Sequence, residues 1–409
     1  MIILCLITYF FVENIKSIKN MRNIAVFLFI FVQQFLYSQL IVKKHIIDKQ
    51  TKQPLVSVII HNTNNYTLTN DDGLFVFYTI HAYDSISIKL LGYETIRTTA
   101  EQLSKEKDTL FLLPKPIELS EVVVENNQEI LSQTYRKALE NYPNEPFVED
   151  FFLRSILKKN GQILKIEDIG GRVKRNKLLG LSKDLMIDFQ ILNMRKFGIE
   201  NKDKYSEDFS LLSLREVFLW YSSLFFIDYQ NFNFSTPIPI DDIHKKIAYF
   251  PKKNNFYDGE GYFVINTEDY SITERYHKIN EEIIDKIPFT KKLWTKYRTS
   301  YYSLKEKCEK NIKGKNFIAS VSLQQQVEVY NKSDKNNYDI EYQIIITLPF
   351  SDISTFKANV SSKKELFKLN FPYNKNFWEK QNQLPLTEEI QFFLDKAHNQ
   401  KEYRIISNF

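Results

Sequence analysis

The chain has 409 residues, of which 43% are hydrophobic and 26% are charged. This is the composition of a folded globular protein with room for two or three domains, and it excludes disordered and wholly membrane-embedded chains. The formal net charge of +5 includes +2 from residues 1–38, so the remaining chain is too weakly basic to predict a nucleic-acid partner. Aromatic residues make up 15% and glycine is scarce, which favours strands over glycine-rich phosphate loops.

The N-terminus has the three parts of a secretory signal peptide. Met21 begins a short basic segment, residues 24–32 form an unbroken apolar run too short to span a bilayer, and Ser38 precedes Gln39 at a small-residue junction. We expect translation from Met21, removal of residues 1–38 by cleavage after Ser38, and export to the periplasm or cell envelope. An uncleaved N-terminal anchor is the alternative that the sequence leaves open.

Residues 39–125 break into short runs of alternating polar and apolar residues, separated by turn-forming residues. In the run 85–90, isoleucines and a leucine fall on one side, and serines and a lysine fall on the other. Asp72 and Gly73 precede another run, 74–78, and form a turn in which glycine supplies the positive φ. Short strands with regular turns and no helix predict a small antiparallel β-sandwich.

Six residues of this segment carry a resemblance to a known family: Pro54, Asp72, Gly73, Phe75, Gly92 and Tyr93. The segment resembles the carboxypeptidase regulatory-like domain, and residues 119–124 resemble the way such domains end in secreted proteins of Bacteroidetes-type bacteria. One departure is Lys44, which stands where the family usually has glycine. The resemblance implies a transthyretin-like sandwich that serves as an accessory module rather than as a catalyst.

Residues 126–409 indicate a larger domain of strands and a few helices. The predicted elements are a helix over 128–142, a hairpin turning at Asn160-Gly161, a second hairpin around 267–270, a strand pair over 317–330 and 338–348, a helical or buried apolar segment over 211–226, and a short helix capped by Thr387. Their order resembles the extension that follows regulatory-like domains in Bacteroidetes envelope proteins. The succession of strand, acidic turn, aromatic residue and strand resembles the antiparallel sheet of LolA-type lipoprotein carriers. The whole chain is therefore predicted to be mainly β with a few helices: an N-terminal transthyretin-like antiparallel sandwich and a larger α+β domain built on a curved antiparallel sheet.

The turn at Asn160-Gly161 predicts the register of its hairpin. In a two-residue type I′ turn at this position the numbers of opposed residues sum to 321, which places Arg154 opposite Glu167 on one face. Many neighbours of these two residues are apolar, so the pair is predicted either as partly buried or as an exposed cross-strand pair. A third interpretation is that the pair lines a ligand groove.

No catalytic, metal-binding or cofactor-binding residue is assigned from the sequence. None of the six histidines has glutamate three residues later, and the chain contains neither HExxH nor CxxC, so zinc carboxypeptidase chemistry is not predicted. The sequence also contains neither a Gly-x-Ser-x-Gly elbow nor a P-loop. Cys308 lies among lysines and glutamates without an adjacent histidine, which is typical of a structural thiol.

Two functions are consistent with these features. The first is a non-catalytic secreted binding or interaction protein of the cell envelope, with the sandwich as scaffold and residues 126–409 as the binder of an apolar or peptide ligand or of an envelope protein. Nucleic acid is not expected as a partner, and membrane contact is expected only as peripheral association. The alternative is an envelope hydrolase whose site lies in the larger domain, with four candidate residues: Asp241, Asp242, His244 and Glu260.

Overall fold

The structure is a computed structural model, and it describes residues 40–63, 65–115, 126–200, 211–223, 231–252, 259–292, 294–311, 313–331, 334–399 and 404–408. The predicted signal peptide and residues 119–124 lie outside the described residues. Within the described part, no helix combines the length and the apolar character needed to cross a membrane.

Seven of the described strands form a two-sheet sandwich: β1 (Leu40–Asp48), β2 (Ile59–His61), β3 (Tyr66–Leu68), β4 (Leu74–Thr79), β5 (Ser85–Lys89), β6 (Ile96–Thr99) and β7 (Thr109–Leu112). One sheet has the order β4-β1-β7 and the other β3-β2-β5-β6. Alternate side chains point between the sheets, so Phe75 and Phe77 of β4 and Ile86 and Ile88 of β5 are completely buried. The predicted sandwich is confirmed, and its strand pairs are antiparallel except β1 with β7. A short helix, α1 (Ala100–Lys105), joins β6 to β7, where the sequence predicted none.

The turn before β4 is built around Gly73, whose φ is +73°. The side-chain oxygen of Asn70 organises the turn by accepting hydrogen bonds from the backbone N–H groups of Asp72 and Leu74, at 3.0 and 2.9 Å. A Cβ atom at position 73 would lie 2.6 Å from the carbonyl oxygen of Ile46, which is closer than real Cβ atoms approach. Glycine is therefore required here both for its backbone conformation and for lack of space.

The remaining described strands form one antiparallel sheet: β8 (Phe147–Lys159), β9 (Gln162–Arg175), β10 (Ile187–Glu200), β11 (Phe232–Phe234), β12 (Ile238–Pro239), β13 (His244–Pro251), β14 (Gly259–Asn266), β15 (Ile272–Ile279), β16 (Thr290–Lys292), β17 (Thr295–Lys310), β18 (Asn316–Asn331), β19 (Asp334–Ser351) and β20 (Arg404–Ser407). Their order is β11-β13-β14-β15-β17-β18-β19-β8-β9-β10-β20, with β12 beside β13 and β16 beside β17. The helices described around this sheet are α2 (Asn127–Arg136), α3 (Ala138–Asn141), α4 (Leu214–Ser223), α5 (Lys375–Trp378) and α6 (Glu388–Asn399), with 3-10 turns at Ser182–Asp184, Glu281–Lys286, Ile353–Thr355 and Leu366–Lys368. The prediction of a mainly β chain with a larger α+β part is confirmed.

The large sheet and the sandwich share an apolar core. On the large sheet, Phe218 of α4 packs edge-on against Phe151 of β8, with ring centroids 4.9 Å apart. The sandwich contributes to the same core through β2 and β3, where Tyr66 packs edge-on against Phe317 of β18 at 5.1 Å. Removal of apolar surface from water therefore holds the two parts of the chain together.

The hairpin between β8 and β9 turns where the sequence predicted. Asn160 and Gly161 have φ angles of +50° and +79°, as a type I′ turn requires. The first pairs after the turn obey the predicted count, but the register then shifts by one residue between Leu157 and Lys158. A β-bulge of this kind places two residues of one strand against one of the other, so every pair beyond it is displaced.

The bulge overturns the predicted pair of Arg154 and Glu167. Arg154 lies opposite Asp168, while Glu167 lies opposite Ser155. Neighbouring residues of a strand point to opposite faces, so a shift of one residue puts a different carboxylate beside the arginine. The prediction was therefore wrong about the partner. Arg154 itself is 1% exposed, in line with the buried alternative.

Arg154 and Asp168 form a buried ion pair with two parallel hydrogen bonds of 2.8 and 2.9 Å. Arg195 of β10 adds a further hydrogen bond to the same carboxylate at 2.8 Å. The guanidinium group of Arg154 also donates to two backbone carbonyl oxygens of residues 378–388, at 2.8 and 2.9 Å. We call this segment the C-terminal strap. The ion pair thus fixes the strap to the large sheet.

The C-terminal strap also binds the sandwich. The side-chain oxygen of Asn382 accepts a hydrogen bond from the backbone N–H of Tyr78 at 2.8 Å. A carboxylate oxygen of Asp72 accepts one from the backbone N–H of Glu388, also at 2.8 Å, at the start of α6. Asp72 therefore has a second role besides its place in the turn before β4. The strap connects the sandwich to the sheet in addition to their shared core.

Glu167 is buried, and one of its carboxylate oxygens has no hydrogen-bond partner among the described residues. Burial raises the pKa of Glu167 to about 8, although Lys165 and Lys196 oppose this shift. The carboxyl group therefore holds its proton at neutral pH, and its ionisation is coupled to unfolding.

Replacement of Gly73 by alanine will lower the free energy of unfolding more than replacement of Gly92 by alanine. Both glycines have positive φ, but a Cβ at position 92 meets no atom within 4 Å, whereas a Cβ at position 73 clashes with Ile46. Positive φ costs about 1–2 kcal/mol for a residue with a side chain at either position. The difference in unfolding free energy between the two variants therefore measures the cost of the clash. Chemical denaturation measures both variants, and equal losses would contradict the clash.

Asp168→Asn will lower the free energy of unfolding by about 3–5 kcal/mol, because it leaves Arg154 buried without its anion. The double variant Asp168→Asn, Arg154→Met will lose less free energy of unfolding than the sum of the losses in the two single variants, because the two residues are coupled. The exposed pair of Glu101 and Lys105, 2.7 Å apart, is the control, with an expected coupling of about 0.5 kcal/mol or less. Double-mutant cycles measure both couplings; similar small values would show that the buried pair does not organise this region.

Glu167→Gln will flatten the dependence of stability on pH. The folded pKa of Glu167 lies above its ordinary value, so the unfolded chain releases a proton that the folded protein keeps. The contribution of Glu167 to the free energy of unfolding is therefore greatest below pH about 4 and is lost as the pH rises towards about 8. Denaturation at a series of pH values checks this expectation, and a variant with the wild-type slope would contradict it.

Candidate functional site

A cleft of about 340 Å³ lies where the sandwich meets the large sheet, and we call it the interdomain cleft. Residues of the sandwich that line it include Ile59, His61, Leu90, Gly92, Tyr93 and Thr95. Residues of the larger part that line it include Asp241, His244, Asn266, Thr273, Lys307 and Cys308. Its volume falls at the lower end of the range for ligand-binding pockets, roughly 300–1,000 Å³. Both parts of the chain are needed to form it.

The sandwich wall of the interdomain cleft contains Gly92 and Tyr93. Gly92 turns the chain after β5 with a φ of +80°. The phenol of Tyr93 donates a hydrogen bond of 2.7 Å to the carboxylate of Asp48, which also accepts from the backbone N–H groups of Gln50 and Thr51. The tyrosine ring is thereby held in one position. These two signature residues therefore face the cleft.

Two lysines join the walls of the interdomain cleft. Lys89 of β5 forms an ion pair with Glu309 of β17. Lys307, also on β17, donates a hydrogen bond of 2.6 Å to the carbonyl oxygen of Ser57 in the sandwich. Burial lowers the pKa of Lys307 to about 8, so its ammonium form is only weakly favoured at neutral pH. These contacts hold the two walls at a fixed separation.

The structure brings together two of the four candidate hydrolase residues. Asp241 and His244 both line the cleft, and Nδ1 of His244 lies 2.9 Å from each carboxylate oxygen of Asp241. Asp242 and Glu260 are not among the lining residues, and each forms an ion pair with a lysine, at 3.0 and 3.4 Å. A histidine oriented by a carboxylate is a candidate general base. Two of the four residues proposed for the hydrolase alternative therefore remain candidates.

Cys308 also lines the cleft, but it is 5% exposed. Burial raises the pKa of its thiol well above the usual range, and the charges of Glu306 and Glu309 add to the shift. The thiolate, which is the reactive form, is therefore scarce at neutral pH. Among the residues that the structure describes, no three His, Cys, Asp or Glu side chains are grouped so that they could hold a metal ion.

Four of the signature residues lie away from the cleft. Phe75 is completely buried in the core of the sandwich, and Pro54 pairs with Ile47 through an isolated bridge. Asp72 and Gly73 form the turn before β4, and Asp72 also contacts the C-terminal strap. These residues support the fold of the sandwich and its attachment rather than the lining of the cleft.

Sequence reasoning missed the residues that join the two walls. Lys89 and Glu309 are 220 positions apart, and Ser57 and Lys307 are 250 positions apart. No local periodicity or motif links residues at such separations. Only paired substitutions among relatives would have connected them before the fold was known.

The solved structures that are similar to part of this chain share little sequence with it. A LolA superfamily protein of Nitrosomonas europaea is 8% identical, with a TM-score of 0.19, over 54% of this chain and 94% of that one. Lipovitellin is 7% identical, with a TM-score of 0.21, over 55% of this chain and 27% of that one. MucB, in complex with MucA, is 6% identical, with a TM-score of 0.16, over 56% of this chain and 100% of that one. Similarity at this level assigns neither a ligand nor an activity, and no curated protein matches the chain.

The N-terminal part of the chain matches a protein family. Residues 43–124 match the family model of the CarboxypepD_reg-like domain, and this range includes nearly all of the sandwich. The resemblance predicted from the signature residues is confirmed, and the part that follows is rich in strands, as predicted. This chain therefore contains a CarboxypepD_reg-like domain followed by a β-rich extension.

Proposed function

We propose that this chain is a non-catalytic binding protein of the cell envelope, exported by its N-terminal signal peptide, and that the interdomain cleft binds a peptide segment of a partner protein. The observation that carries the proposal is the cleft, whose walls come from the CarboxypepD_reg-like domain and from the large sheet. Clefts between two packed parts of a protein are preferred places for ligands. In this arrangement the accessory sandwich serves as one wall of the site.

The lining of the interdomain cleft suits a peptide better than a wholly apolar ligand. Ile59 and Leu90 provide apolar surface, while Asn266 and Thr273 provide amide and hydroxyl groups. The amide nitrogen of Asn266 can donate a hydrogen bond to a peptide backbone, and the hydroxyl oxygen of Thr273, which donates to a backbone carbonyl, can still accept one. An apolar ligand would displace water from these groups and from Lys307 without replacing its hydrogen bonds, which is unfavourable.

A hydrolase is the second candidate, and the contact between Asp241 and His244 favours it. Two hydroxyl groups in the lining already have protein partners: Ser271 donates to Asp269 at 2.7 Å, and Thr273 donates to a backbone carbonyl at 3.2 Å. Hydrolysis would require a nucleophile activated by His244, such as a bound water molecule. Binding requires no such additional reactant, and it is the function that the geometry supports better.

Replacement of Thr95 by tryptophan will block the interdomain cleft. Thr95 is an exposed lining residue, so the indole ring can enter the cleft without disturbing a core. The purified chain will select peptides of defined sequence from a library of extended hexapeptides, and Thr95→Trp will weaken the selected complex by about tenfold or more in calorimetry. Thr236→Trp, in an exposed loop outside the lining, is the matched control and will retain binding.

Two results would contradict the binding proposal: failure of the chain to select any peptide, and equal affinity in the two tryptophan variants. Peptide cleavage gives a separate outcome. If the chain hydrolyses the selected peptide and His244→Gln abolishes hydrolysis while leaving peptide binding intact, the second candidate replaces the first.

A further inference from the structure

We propose that one end of the large sheet binds the surface of an anionic lipid bilayer. This end, which we call the basic–aromatic tip, consists of Phe289, Lys291, Trp294, Lys296, Tyr330 and Lys335. None of these residues lines the interdomain cleft. The tip is therefore a second interaction surface, and it does not depend on the function proposed for the cleft.

The strand register places the residues of the tip in one row. β16 and β17 form a hairpin in which Lys291 lies opposite Lys296. On the next strand, β18, Tyr330 lies opposite Lys296, and on β19, Lys335 lies opposite Tyr330. Opposed residues on neighbouring strands share a face. The ammonium groups of Lys296 and Lys335 thus lie 4.8 and 5.7 Å from the ring centre of Tyr330, and Lys291 adds a third lysine at the end of these four adjacent strands.

Trp294 lies in the turn between β16 and β17, and 83% of its surface is exposed. This is the largest exposed fraction among the large hydrophobic residues that the structure describes. An indole ring in water is unfavourable, and its apolar body with a single N–H donor matches the boundary between lipid headgroups and acyl chains. Its place in a turn presents the ring to a broad surface rather than to a narrow groove.

The chain around Trp294 is positively charged. Residues 286–297 contain four lysines and no acidic residue. The ammonium group of Lys296 lies 5.3 Å from the ring centre of Phe289 and 4.8 Å from that of Tyr330. These cation–π contacts keep the charge beside the aromatic rings at the surface. Cations next to exposed aromatic residues are the combination by which peripheral proteins bind anionic membranes.

Among the described residues, the carboxylates near the tip pair with only one of its three lysines, Lys335. Glu328 binds Arg298 and Lys335, at 3.0 Å from each. Asp285 lies 3.8 Å from the same arginine, and Asp334 is exposed at the start of β19. Among the described side chains, neither Lys291 nor Lys296 forms an ion pair with these acids. The tip therefore carries an excess of positive charge that favours an anionic partner. An anionic bilayer accommodates the exposed indole ring as well as this charge.

Vesicle sedimentation tests the proposal with the chain from Gln39 to Phe409, which lacks the apolar leader that would itself bind lipid. This chain will bind vesicles made of equal parts phosphatidylglycerol and phosphatidylcholine about tenfold or more tightly than vesicles of phosphatidylcholine alone. Trp294→Ala will weaken binding to the mixed vesicles by about fivefold or more. Phe392→Ala removes another exposed aromatic ring, 68% exposed on α6, and as the matched control it will bind like the wild type.

The lysines have a matched control as well. Lys291→Gln combined with Lys296→Gln will weaken binding to the mixed vesicles by about tenfold and reduce its dependence on salt. Lys357→Gln combined with Lys380→Gln removes the same charge from exposed positions elsewhere and will leave binding unchanged.

Several results would overturn the proposal: no binding to the mixed vesicles, equal binding to both kinds of vesicle, or wild-type affinity in Trp294→Ala. Tighter binding to polyglutamate than to the mixed vesicles would assign the tip to an acidic protein and would overturn it too. Variants of the tip leave the interdomain cleft intact, so they will select the same peptides as the wild type. Loss of vesicle binding with unchanged peptide selection thus separates a test of the tip from a test of the cleft.

Discussion

The position of the sandwich depends on the buried carboxylate of Asp168. Arg154 and Arg195 hold this group inside the protein, and Arg154 directs its remaining donors to the carbonyl oxygens of Leu384 and Pro385. Burial alone would raise the pKa of Asp168, but the two guanidinium groups lower it below its ordinary value. Its contribution to stability is therefore present above pH about 4 and is lost as the carboxylate becomes protonated. Removal of Asp168 would leave Arg154 buried without its anion.

The C-terminal strap transmits this constraint to the sandwich. The strap is bound to the sheet by the ion pair, and Asn382 within it binds the backbone of Tyr78. At the interdomain cleft, Lys307 and the ion pair of Lys89 with Glu309 bind the sandwich to the sheet. The sandwich is thus attached through the strap as well as through the cleft. The small β-sandwich becomes, through these attachments, a fixed wall of a pocket.

Much of the fold could be predicted because its determinants are local. Period-two alternation identified strands of the sandwich, and the turn at Asn160-Gly161 followed from the φ angles that asparagine and glycine tolerate. The register beyond Leu157 could not be predicted, because a bulge depends on packing across the whole sheet and has no compositional signal. The same limit applies to the candidate site. Asp241 and His244, three positions apart, were recognised as candidates, whereas the contacts that join the cleft walls link residues more than 200 positions apart.

The contact between Asp72 and Glu388 spans 316 positions, and it has a consequence for the order in which the molecule is completed. The N-terminal part of a chain is synthesised first, and domains generally fold in that order. Contacts between distant positions form slowly, since a long loop must close before they are made. The strap therefore reaches the sandwich only after nearly the whole chain has been synthesised. The walls of the interdomain cleft are likewise joined across 220 and 250 positions, so the cleft forms late, and a ligand that occupies it stabilises only the folded molecule.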